Sequence, residues 1–405
     1  MPTAPPRRTQ VAIVGAGPAG LTLAHLLHLQ GIESVVLEAR SREHVEQRIR
    51  AGMLEPAVAG LYRDTGLGAR LDRRAETHEA IALRFARRTH RFDLVGLTGR
   101  AITLYGQQLL VQDLVRARAD AGLPLHFDAR VVRIEGLEDP GARPRVTARI
   151  GGRPHVVEAD VVAGCDGRHG ASRARLPARA ATVRSKTLPS SWLGILSDNP
   201  PSSEEVVYAH HPDGFAMHSR RGRTRTRQYL QVPVGTDPAD WPAERIWAEL
   251  RRRLDDEDGF ELTEGPILET LLARLRGEVV EPPRYGRLFL AGDAAHVVPP
   301  AGGKGLNLAV ADVCVLARLI AGFYATGDER VLDDYSPLAL ARAWRVQQFS
   351  WQLTSLLHAM PGHREADRRL QLAALETLVT DRPAAVALAT QYVGLPLPPW
   401  SWSGD

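Results

Sequence analysis

The chain has 405 residues, 44% of them hydrophobic, enough for a large core divided between two lobes. Its formal net charge is +4, from 51 basic and 47 acidic residues, and because the signs are interspersed this excess (pI about 9.3) does not make a nucleic-acid surface. The two cysteines, Cys165 and Cys314, lie far apart in sequence, which excludes a CxxC redox pair or metal cluster and suits structural thiols in a cytoplasmic protein without a metal.

The opening residues MPTAPPRRT read as a frayed Pro/Arg arm, and the strand that follows at once makes a signal peptide unexpected. No apolar run reads as long enough to span a bilayer, so no membrane attachment is expected. Gln10–Gly20 is QVAIVGAGPAG: an apolar strand, then Gly15, Gly17 and Gly20, then a helical pattern over Leu21–Gln30. Gly15 allows a tight turn, Gly17 lets the backbone approach a pyrophosphate, and Gly20 lets helix and strand pack closely. A second strand, Ser34–Glu38, ends in an acid at the distance that suits a ribose ligand. A lone glycine triplet would be a weak signal, but here strand, helix and acid are all in place.

A helix is expected to continue over Arg48–Val58, and another amphipathic helix over Val111–Ala121. Strands are expected within Pro124–Asp166, including VTARI and DVVAGCDG, the latter closed by Gly164 and Asp166-Gly167. From Thr182 the texture changes to alternating runs at Trp192–Ser197, Glu205–His210, Gly214–Ser219 and Arg227–Val232, followed by a helix at Pro242–Leu254. Such alternation predicts an antiparallel sheet that would floor a pocket. At Arg287–Asn307 the chain reads RLFLAGDAAHVVPPAGGKGLN. Here a strand ends at Gly292-Asp293, and a Pro/Gly loop leads to a helix near Leu306. An acid at a strand end suits a ribityl hydroxyl, and free N–H groups at a helix start suit an electron-rich flavin edge. Two such segments in one chain point to FAD, gripped at both ends. Helices near Leu306–Tyr324, Val331–Leu357 and His363–Val379 and a Pro-rich tail complete the chain.

The fold class is therefore α/β (α+β). It comprises a Rossmann-like FAD-binding domain with a parallel sheet (1–181), an inserted antiparallel-sheet substrate domain (182–284), and a return to the first domain with C-terminal helices (285–405).

With these pieces assembled, the chain resembles the single-component flavin-dependent aromatic hydroxylases over essentially its whole length. The resemblance rests on VAIVGAGPAG, RIRAG (48–52), LYGQ (104–107), AGCDG (163–167), YAHHPDGFA (208–216), LFLAGDAAHVVPP (288–300), GGKGLNLA (302–309) and YVGLP (392–396). It implies FAD as cofactor, NADH or NADPH as co-substrate and O2 as oxidant, with a flavin hydroperoxide attacking an electron-rich ring. The implied reaction is hydroxylation of 4-hydroxybenzoate to 3,4-dihydroxybenzoate, by a monomer or homodimer that binds small aromatic acids and no nucleic acid.

The basic run Ser219–Tyr229, SRRGRTRTRQY, reads as a hairpin centred near Thr224, with Ser219 opposite Tyr229 and Arg221 opposite Arg227. All four would share one face. Two cations across a ladder call for an anion, and a carboxylate held in a fork by Arg221, with hydroxyls from Ser219 and Tyr229, supplies one. The resemblance assigns that carboxylate role to these positions and places Arg227 beside the flavin. It also implies a proton relay of Tyr208, Tyr392 and His78, with the Pro300 carbonyl touching the substrate hydroxyl. A tyrosine hydroxyl, pKa near ~10, can polarise a phenol, and histidine exchanges protons at neutral pH. For the cofactor it implies Gly15, Gly17, Gly20, Glu38, Arg48, Arg50, Gln107, Asp166 and Asp293, with Gly302, Lys304, Leu306 and Asn307 at the ring. Lys304 is one of only two lysines, with Lys186, and is expected to supply positive potential there.

Three departures from the family pattern stand out. Ala301 replaces a Thr beside the substrate, Gln228 replaces an aromatic next to Tyr229, and Ala39–His44 differs from the NADPH-preferring pattern. Arg40, Arg42 and Arg48 could still meet a 2′-phosphate, and NADH or dual use is the expectation. Ala301 also leaves open another para-substituted benzoate such as 4-aminobenzoate. The reading from a different class is a non-catalytic FAD-bound sensor of aromatic acids, which would need no proton relay.

Overall fold

The computed structural model describes residues 5–48, 50, 52–139 and 141–403. Residues 1–4 of the expected frayed arm, and Ile49 and Ala51 of the 48–52 motif, lie outside the described residues. The end of the arm joins the fold: the first strand is Arg8–Val14, and the Arg7 carbonyl accepts the Glu158 N–H.

That strand is buried on both faces. Val11 and Ile13 enter one core and Ala12 and Val14 another, so a continuous apolar run was needed rather than an alternating one. It pairs in parallel with Ser34–Leu37 and with Arg153–Gly164. Leu125–His126 extends the sheet at one edge; at the other, Leu288–Leu290 continues it in parallel and Arg284–Tyr285 closes it antiparallel. Helices Pro18–Leu29, Gln107–Asp120 and Gly305–Thr326 cover one face. Gly305–Thr326 corrects one expectation, because it is long and apolar enough to cross a membrane. Here it is a core helix with most of its residues buried in protein.

The second sheet has eight strands in the order His296–Val297, Ile267–Glu281, Thr182–Asp198, Arg225–Pro233, Ala216–Arg220, Val206–Ala209, Ala80–Phe85, Arg88–Asp93. It is antiparallel except where Val206–Ala209 runs parallel to Ala80–Phe85. The sheet is therefore not drawn from 182–284 alone: residues 80–93 and 296–297 cross into it. Helix Ala243–Leu254 packs on one face, through Ile246, Trp247 and Leu250.

No helix spans Arg48–Val58. Ser41 caps a short helix, Arg42–Gln47, that ends at Arg48. The chain then forms strand Met53–Leu54, which pairs with Ile102–Leu104, before a new helix, Pro56–Asp64. Pro56 explains the break: it holds Glu55 in an extended conformation (φ −63°, ψ 149°) and starts the next helix at its first position. At the other end of the chain, the first residues of Val331–Leu357 are 3-10, Glu329–Asp334, and the α-helix is Tyr335–Leu357. What looked like a tail is a helix, Arg382–Val393, that stops at Gly394 with φ 97°.

Candidate active site and cofactor cleft

A cleft of about 920 Å3 runs along the carboxyl ends of the parallel strands, lined by Gly15, Gly17, Glu38, Arg48, Arg50, Gln107, Asp166, Asp293 and Leu306 among others. Each glycine of the first turn has its own geometry. Gly15 has φ 103°, and a Cβ there would lie 2.6 Å from the Cys165 carbonyl oxygen. A Cβ on Gly20 would lie 2.1 Å from the Gly15 carbonyl oxygen, whereas one on Gly17 would meet nothing within 4 Å. Glu38 is fixed by the N–H groups of Ala16 (2.7 Å) and Arg40 (2.8 Å). Arg50 and Asp293 face each other at 3.5 Å. The Asp166 carboxylate accepts the Ser172 N–H at 2.9 Å, while its Oδ1 is buried without a partner, and burial holds its pKa above the usual value. Helix Gly305–Thr326 starts with no side-chain cap, so its first N–H groups are free for an anionic or electron-rich ligand. An open wall at Gly17, an orphaned acid oxygen and an uncapped helix start fit the dinucleotide predicted from sequence.

Two expected cofactor residues are otherwise engaged. Asn307 accepts the Glu55 N–H at 2.8 Å and donates to the Met53 carbonyl at 2.9 Å, so it holds the neighbouring strand. The Lys304 ammonium, 2% exposed, donates to Glu55 Oε1 at 2.8 Å and the Tyr392 carbonyl at 2.6 Å. It lines a separate cavity of about 210 Å3, and Glu55 balances the positive potential expected of it. Gly302 and Gly303 have φ 84° and 62°; a Cβ would lie 2.8 Å from Phe349 at the first and 2.3 Å from Met53 at the second. Within this turn the Pro300 carbonyl accepts the Gly303 N–H at 3.0 Å.

On the substrate side, the Tyr208 and Tyr392 hydroxyls lie 2.9 Å apart, both buried in one cluster with Ala301 and Phe349. Burial pushes the Tyr208 hydroxyl up to about 12 against the opposing pull of Tyr392, Arg221 and the Gly302 backbone. Tyr392 is raised as well, by burial and then by Tyr208. His78 is not hydrogen-bonded to either tyrosine among the described contacts. Its Nε2 is buried without a partner, and burial, reinforced by Arg220, lowers it to about 4. Tyr392 instead meets Met53 Sδ at 3.7 Å.

The hairpin differs from expectation by one position. Ser219 pairs with Arg227 and Met217 with Tyr229, and Arg221 N–H donates to the Arg225 carbonyl at 2.8 Å, so the turn centres on Arg223. Because each pairing moves by two residues, the alternation of faces survives, and Ser219, Arg221, Arg227 and Tyr229 still share a side. The two arginines face each other diagonally rather than directly. Ser219 donates to the Arg227 carbonyl at 3.0 Å. Arg227 approaches Glu269 at 3.5 Å, with Nη1 buried and unpartnered, and is not among the residues that line the large cleft. Arg221 is partly buried beside Tyr229 and Tyr208, which support its charge while burial opposes it. No carboxylate pairs with Arg221 among the described residues.

Sequence reasoning missed Glu55, the partner of Lys304, and the aromatic layer of Trp192, Phe215 and His358 behind Tyr229. An acid before Pro56 was a weak signal for the first. Nothing local signals the second, which joins residues from three distant segments.

Residues 8–350 match the family model described as FAD binding domain. Over 390 residues the chain is 41% identical to p-hydroxybenzoate hydroxylase of Acinetobacter baylyi, covering 96% of each. It is 28% identical over 344 residues to 3-(3-hydroxy-phenyl)propionate/3-hydroxycinnamic acid hydroxylase of a Mycobacterium species, covering 81% of this chain and 56% of that one. Among solved structures, p-nitrophenol 4-monooxygenase from Pseudomonas putida shares the fold with a TM-score of 0.79 at 21% identity, over 95% of this chain and 97% of that one.

Proposed function

The chain belongs to the FAD binding domain family, and from that premise we propose that it is an FAD-dependent monooxygenase converting 4-hydroxybenzoate to 3,4-dihydroxybenzoate with NADH or NADPH and O2. The observation that carries the substrate is Arg221: a guanidinium with no acid partner among the described residues, beside the hydroxyls of Tyr229 and Tyr208. A cation held partly out of water without an anion is costly, and a benzoate carboxylate fits it in a two-pronged hydrogen bond.

With the carboxylate on Arg221 and Tyr229, the para hydroxyl points toward Tyr208. Tyr208 stays protonated at neutral pH, since its hydroxyl is pushed up to about 12. It can accept the phenolic hydrogen bond while its own proton is shared with Tyr392, 2.9 Å away, and chained hydrogen bonds strengthen one another. Drawing the phenolic proton along this pair makes the ring more nucleophilic. We place His78 at the outer end, reached through a mediating water. A neutral imidazole passes a proton by taking one at one nitrogen and releasing one at the other. FAD, held by the first glycine turn, Glu38, Arg50, Asp166, Asp293 and the start of helix Gly305–Thr326, supplies the redox chemistry with oxygen.

A second reading keeps this site and changes the substrate to 4-aminobenzoate, because Ala301 offers no hydroxyl to the para substituent. The proton path of Tyr208 and Tyr392 argues against a sensor, which needs none. We also propose a cytoplasmic homodimer joined through the face that exposes Trp344 (45%) and Leu370 (70%), checked by sedimentation of the wild type and Leu370→Glu. The reaction itself is tested by oxygen uptake and product identity across a panel of benzoates, with NADH and NADPH in parallel. Absence of dihydroxybenzoate from 4-hydroxybenzoate would overturn the main reading.

A further inference from the structure

We infer that Trp192 and His358 are positioning residues that set the pitch of Tyr229 and so the selectivity of the site for a carboxylate. The inference rests on Arg221 and Tyr229 forming the carboxylate clamp, and it concerns two residues that clamp does not itself include.

Tyr229 is held from two sides by one strand. Gly194 pairs with it across the ladder, and a Cβ on Gly194 would lie 2.9 Å from Tyr229 Cε1. The ring therefore occupies the space a side chain would take. Two residues earlier, on the same face of the strand, the Trp192 indole lies 4.8 Å from the Tyr229 ring at 47°.

Trp192 is 2% exposed and donates its indole N–H to His358 Nε2 at 2.7 Å. That bond requires a lone pair on Nε2, so the proton sits on Nδ1, where it donates to the Thr354 carbonyl at 2.7 Å. Both nitrogens are thus committed and the tautomer is fixed. Burial lowers the imidazole to about 3, so His358 remains a neutral acceptor wherever the enzyme works.

His358 closes helix Tyr335–Leu357, and its surroundings hold it against the same sheet. Its carbonyl accepts from Gln371 at 2.9 Å. Gln231, two residues after Tyr229 on the same face, donates to the Ala359 carbonyl at 2.5 Å and accepts the Ala359 N–H at 3.1 Å. Phe215 fills the layer, stacked 4.5 Å from His358 and 5.1 Å from Trp192. The end of a C-terminal helix therefore fixes Trp192, and Trp192 fixes the tyrosine that would meet the carboxylate. A ring free to tilt would move its hydroxyl off the line set by Arg221.

The test compares His358→Leu, His358→Gln and Trp192→Phe, all as FAD-bound protein, by equilibrium binding of 4-hydroxybenzoate and of phenol, which lacks the carboxylate. His358→Leu and Trp192→Phe should weaken 4-hydroxybenzoate binding by about tenfold, the scale of one lost buried hydrogen bond, while phenol binding and kcat at saturation stay within about twofold. His358→Gln returns an acceptor and should recover most of the lost affinity. A purely structural role would instead lower thermal stability and weaken both ligands alike. Equal weakening of acid and phenol, no weakening, or no recovery with His358→Gln would each overturn the inference. Arg221→Lys serves as control: if it leaves acid binding intact the clamp is wrong, and if it abolishes acid binding while His358→Leu leaves acid binding unweakened, only this inference fails.

Discussion

The hydroxyls of Tyr208 and Tyr392 lie 2.9 Å apart, although 184 residues separate them in the chain. Tyr208 comes from an inner strand of the antiparallel sheet and Tyr392 from the last turn of the last helix. The pair forms only when helix Arg382–Val393 docks against the second sheet, which ties the proton path to an intact substrate site. Tyr208→Phe keeps the ring and removes the hydroxyl. Substrate binding should fall by only ~1 kcal/mol, while cofactor oxidation continues and hydrogen peroxide replaces product. The measurement is dihydroxybenzoate formed per nicotinamide consumed; an unchanged ratio would show that Tyr208 does not activate the ring.

Arg221→Lys addresses the other end of the substrate. A point charge cannot reproduce a planar fork, and removing one partner of a buried charged pair costs on the order of 2–5 kcal/mol. The dissociation constant for 4-hydroxybenzoate should rise accordingly, with FAD content unchanged. Near-normal affinity would mean that another group holds the carboxylate.

The nucleotide half was legible because its signals are local. Gly15, Gly17, Gly20 and Glu38 lie within one βαβ unit, and each residue type answers a geometric need that can be stated beforehand. The same-face grouping of Ser219, Arg221, Arg227 and Tyr229 was legible for a related reason: it depends on alternation, which survived a turn displaced by one residue. What left no local signal was decided at long range. Ile267–Glu281, ILETLLARLRGEVVE, is rich in helix formers yet forms a 15-residue strand, because pairing with Thr182–Asp198 along most of its length outweighs local preference. Glu55, signalled only weakly by its place before Pro56, is the partner of Lys304 249 residues away, and without it Lys304 reads as a source of positive potential at the ring. The recruitment of residues 80–93 into the second sheet likewise leaves no mark in spacing.

The turn that carries Asp293 is braced by a buried pair with a pH signature. Asp312 Oδ2 accepts the Gly292 N–H at 2.9 Å and meets His296 Nε2 at 2.6 Å. Burial opposes the His296 charge, but Asp312 and then Asp293 outweigh it and raise its pKa. A raised folded pKa means the stabilisation is complete below the unfolded value, ~6.5, and is lost as pH rises through the folded value. Thermal stability and FAD retention should therefore decline as pH rises from the unfolded value, ~6.5, through the raised folded value. Asp312→Asn should lower both at neutral pH and flatten the slope; an unaltered slope would remove His296 as its source.

Lys304 and Glu55 offer a choice between two roles for one charge. If the ammonium chiefly served a bound flavin, Lys304→Met would shift the flavin's reduction potential and leave stability nearly intact. The geometry favours a lock. Lys304 is 2% exposed and Glu55 4%, and the ammonium also grips the Tyr392 carbonyl at 2.6 Å, fixing the last helix against the strand at Met53. Lys304→Met strands a buried carboxylate and should cost ~3–5 kcal/mol, while a double variant that also neutralises the acid, Lys304→Met with Glu55→Gln, should recover much of that loss. Denaturant unfolding of the two single variants and the double variant measures the coupling directly. Additive losses would mean the pair does not act as a unit, and the potential-setting role would then stand as the better account of Lys304.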